Sequence, residues 1–75
     1  MLTANEVLER YYLDVRCMLI EIGATLDRHD RAGGFPRSDD ERLANIYRSL
    51  ALLADREASA DRAEKLLEIF SGPAD

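Results

Sequence analysis

The 75-residue chain has one cysteine, one histidine, two prolines and no long run of apolar residues. A single cysteine, Cys17, rules out an internal disulfide framework and any multi-cysteine zinc motif. There is no basic start followed by an apolar stretch, and no segment of about 18 uncharged apolar residues, so neither a signal peptide nor a membrane span is expected. The simplest expectation is a cytoplasmic protein with no membrane partner. Positive charge is also in short supply. Fifteen acids face ten bases, nine of them arginine, for a net charge of −5. A nucleic-acid binder needs a basic field for its phosphate contacts. Between Thr25 and Arg42 four arginines alternate with five acids, which makes no basic patch and argues against nucleic acid.

What is present is an ordinary globular mixture, 47% hydrophobic and 33% charged, in a length that allows one small domain. The few helix breakers fall together. Gly33, Gly34 and Pro36 lie within four residues, and Gly72 and Pro73 stand near the end of the sequence. "TANE" (Thr3 to Glu6) and "SDDE" (Ser38 to Glu41) each set a hydroxyl residue three positions before a glutamate. This is a capping box, able to satisfy two free amides at a helix start.

No glycine or proline separates Asp39 from Ser71, so the phase of the apolar stripe must locate any break. Leu43, Ile46, Tyr47, Leu50 and Ala54 share one face, whereas Ala63, Leu66, Leu67 and Phe70 share a face roughly opposite on a continuous helix. A break near residues 55–59, with Ser59 as the next N-cap, lets both stripes meet one core. The sequence therefore predicts an all-α fold of three helices, about 4–32, 39–54 and 60–71, with a loop at 33–37. One long helix packs antiparallel to two shorter ones in a single domain spanning 1–75.

The long helix carries two apolar lines. Leu8, Tyr11, Tyr12, Val15, Leu19, Ile22 and Leu26 recur at spacings of three and four, as a core-facing band does. Leu13, Cys17, Ile20 and Ala24 form a second line roughly 140° away. A helix closing one small core needs no second seam, and small domains often gain stability by oligomerising. These four residues are the predicted interaction surface, with a homodimer as the commonest outcome. Another protein helix is the second class of partner.

The densest cluster of chemistry-bearing groups is "TLDRHDRAGG" (Thr25 to Gly34). On a helix, the neighbours of His29 at three and four residues are Thr25, Leu26, Ala32 and Gly33, and none of them is a metal ligand. Arg28, His29 and Arg31 instead suit a last turn, where cations oppose the negative end of the helix dipole. Asp27 and Arg31 are spaced for an i,i+4 pair, and the glycines suit a left-handed stop. Asp14, Cys17 and Glu21 share a stripe, but they mix a soft thiolate with hard carboxylates and lack an E-x-x-H partner helix. Cys17 and His29 stand about 18 Å apart along one helix, too far for a nucleophile and its base.

"EVLERYYLDVRCMLIEIGATLDRHDRAGG", "DDERLANIYRSLALL" and "DRAEKLLEIFS" together resemble a group of short uncharacterised bacterial all-helical proteins. The shared features are an E-x-R…L-D-R-x-D-R first helix and a closing D-R-A-E segment. The resemblance implies no activity and assigns no residue a role. The expected function is thus a non-enzymatic, self-associating interaction module with no catalytic residue, metal or cofactor. The alternative is a small metal- or ligand-binding helical protein that uses acids of the first helix with Cys17 or His29.

Overall fold

A computed structural model describes residues 1–34 and 39–71. The fold is all-α, with three helices: α1 (Ala4–His29), α2 (Glu41–Ala54) and α3 (Arg62–Ser71). No strand occurs among the described residues. The chain divides into two compact units, Met1–Arg37 and Ser38–Asp75.

The first unit is α1 and the turn that closes it. The capping box forms as the sequence predicts. The Thr3 hydroxyl accepts from the Glu6 amide at 3.1 Å, and the Glu6 carboxylate accepts from the Thr3 amide at 2.8 Å. Two of the four unpaired donors at the helix start are thereby satisfied. At the other end Arg28 and His29 occupy the last turn. The helical path breaks at Gly33, whose φ of 103° lies in the left-handed region. A side chain there would be strained, which is the physical reason for glycine. One predicted contact does not form: among the described residues no ion pair joins Asp27 to Arg31.

The second unit is a helical hairpin in which α2 packs against α3. α2 begins two residues later than the sequence predicts. Asp40 is the N-cap: its carboxylate accepts from the Arg42 amide at 2.8 Å and from the Arg42 guanidinium at 3.0 and 2.7 Å. That pairing raises the Arg42 pKa above its ordinary value, chiefly through the side-chain hydrogen bond to Asp40. The predicted cap Ser38 and loop residues 35–37 lie outside the described residues, as do Gly72 and Pro73.

The break between α2 and α3 falls where the stripe phase places it. Asp55 turns extended at the end of α2, and its carboxylate accepts from the Glu57 amide at 2.9 Å. Such a side-chain-to-backbone bond competes directly with helix propagation. Arg62 secures the turn by donating to the carbonyl of Asp55 at 3.2 Å and of Ala58 at 3.5 Å. Ser59 is not the cap of α3, as its hydroxyl donates instead to the Asp61 carboxylate at 2.8 Å. Asp61 stands at the helix start, its carbonyl accepting from the Lys65 amide.

This arrangement depresses the Asp61 pKa, mainly through the Ser59 hydrogen bond, with Lys65 and Arg62 assisting. A depressed folded-state pKa contributes stability above the unfolded carboxylate value of about 3.9, and that stability disappears as pH falls through the lower folded value. Ser59→Ala is expected to move the Asp61 midpoint upward in an NMR carboxyl titration. An unmoved midpoint would remove Ser59 as the cause.

The hairpin does not bury the face of α3 that the sequence suggests. Leu66 is half-buried as expected, but its companions are Arg62 and Ile69, while Ala63, Leu67 and Phe70 remain exposed. On α2, Leu43, Ile46 and Leu50 are half-buried, whereas Tyr47 and Ala54 are exposed. Ser49 is the only buried residue among those described. A small side chain at the inner surface of α2 permits close helix approach, and its hydroxyl is satisfied within the helix by donating to the Asn45 carbonyl at 2.8 Å.

Candidate functional site

The four predicted seam residues all lie within α1, whose uninterrupted helical backbone sets them on one line. Leu13 retains 65% of its exposure and Ile20 60%. Cys17 is exposed as well, and Ala24 is half-buried. Arg10 and Asp14, Glu21 and Arg28 flank this line and are all exposed. The line is therefore a narrow apolar strip bordered by charges of both signs.

The other line of α1 departs from its expected role. The spacing of Leu8, Tyr11, Tyr12, Val15, Leu19 and Ile22 predicts a core face, yet every one is exposed, and only Leu26 of this line is half-buried. No residue of α1 is buried. Within its own unit α1 has no second helix to lie against, so amphipathic spacing alone cannot bury the stripe.

The cluster at Thr25 to Gly34 is a helix end. Thr25 is internally satisfied, its hydroxyl donating to the Glu21 carbonyl at 2.9 Å. One contact goes beyond what helical spacing suggests. His29 Nδ1 lies 3.1 Å from Asp30 Oδ1, its neighbour in sequence. The pair is partly exposed, in the range where such contacts add little stability. Among the described residues no group of three or more His, Cys, Asp or Glu side chains is placed to hold a metal ion. His29→Ala is thus expected to lower stability by no more than about 1 kcal/mol, the value of a last-turn cation. Denaturant unfolding of the variant checks this, and failure to fold would contradict it.

Two structural residues left little trace in the sequence. Arg62, in "DRAEK", looks like any solvated helix arginine, yet it caps the turn before α3. Ser49, in "YRSLALL", interrupts an apolar run, and that interruption is the one signal of its inward position. Among the described helices none is long and apolar enough to cross a membrane. No protein-family model, curated protein or solved structure matches the chain.

Proposed function

We propose that this protein is a non-enzymatic, self-associating helical interaction module of the cytoplasm, with a homodimer as its basic unit. The observation that carries the reading is the exposure of Leu13 and Ile20 on a line of α1 distinct from its broader apolar stripe. Leaving each in water forgoes about 1.5–3 kcal/mol of burial, a large amount for a chain of this size. A second copy applied through the same line meets that demand twice, because every residue of a two-fold interface is counted on both sides. A helix from another protein, apolar along a comparably narrow strip, would fit the same surface. The net charge of −5 and the mixture of signs around the seam favour a protein partner over a polyanion. Sedimentation equilibrium of the wild type and of a Leu13→Glu, Ile20→Glu variant tests the reading. A wild-type chain that is monomeric at tens of micromolar would overturn it.

A further inference from the structure

We draw no further inference here: the strongest candidate, the broad apolar face of α1 formed by Leu8, Tyr11, Tyr12, Val15, Leu19 and Ile22, carries nothing because nothing in the structure shows what covers it.

Discussion

Replacing Leu13 and Ile20 together by glutamate should about halve the assembled mass at tens of micromolar while leaving helix content intact. Both side chains are largely in water in the single chain, at 65% and 60% exposure, so their substitution disturbs no packing within it. Glutamate is also a good helix former, and α1 keeps its Thr3–Glu6 cap. The cost falls on the associated state. Each two-fold contact would bury four such side chains, each contributing about 1.5–3 kcal/mol, and the variant sets four carboxylates in their place. At about 1.4 kcal/mol per factor of ten, a loss of a thousandfold or more in association is expected. Sedimentation equilibrium reads the mass, and circular dichroism reads the helix. An unchanged mass would show that the seam is only a solvated strip. A collapse in helix content would show instead that Leu13 and Ile20 have a folding role.

Enlarging Ser49 to leucine should destabilise the hairpin by about 1–3 kcal/mol, the usual cost of forcing extra methylene groups into a packed site. Ser49 is 7% exposed and lies on the inner surface of α2, where three added carbons have no room without separating the helices. Ser49→Ala supplies the contrast. Its lost hydroxyl bonds only to the Asn45 carbonyl of the same helix, a back-bond that slightly weakens a helix, so alanine should be near neutral. Denaturant titration of the two variants separates size from polarity. If leucine is tolerated as well as alanine, α2 and α3 are not in close approach at this point.

Local chemistry made most of the helical framework legible in the sequence. Thr3 and Glu6 are close enough along the chain to cap α1 whatever surrounds them, and Gly33 takes a left-handed φ for reasons internal to its own backbone. The break after Ala54 was also legible, because the apolar stripe changes phase there and Asp55 can bond its own neighbours. Where two nearby residues compete for one role, sequence placed it less well. Asp40 caps α2 although Ser38 begins the motif, and Ser59 serves the Asp61 carboxylate although its type suits a cap.

Burial is what only tertiary structure decided. Spacing of three and four residues sets Leu8, Val15, Leu19 and Ile22 on one side of α1, but it does not supply a surface to cover them. All four are exposed. α3 likewise offers two apolar lines, and packing against α2 half-buries Leu66 and Ile69 while Leu67 and Phe70 stay in water. Periodicity is a property of one helix. Burial belongs to a pair of them, and so the helices could be read from the residues while the choice of inward face could not.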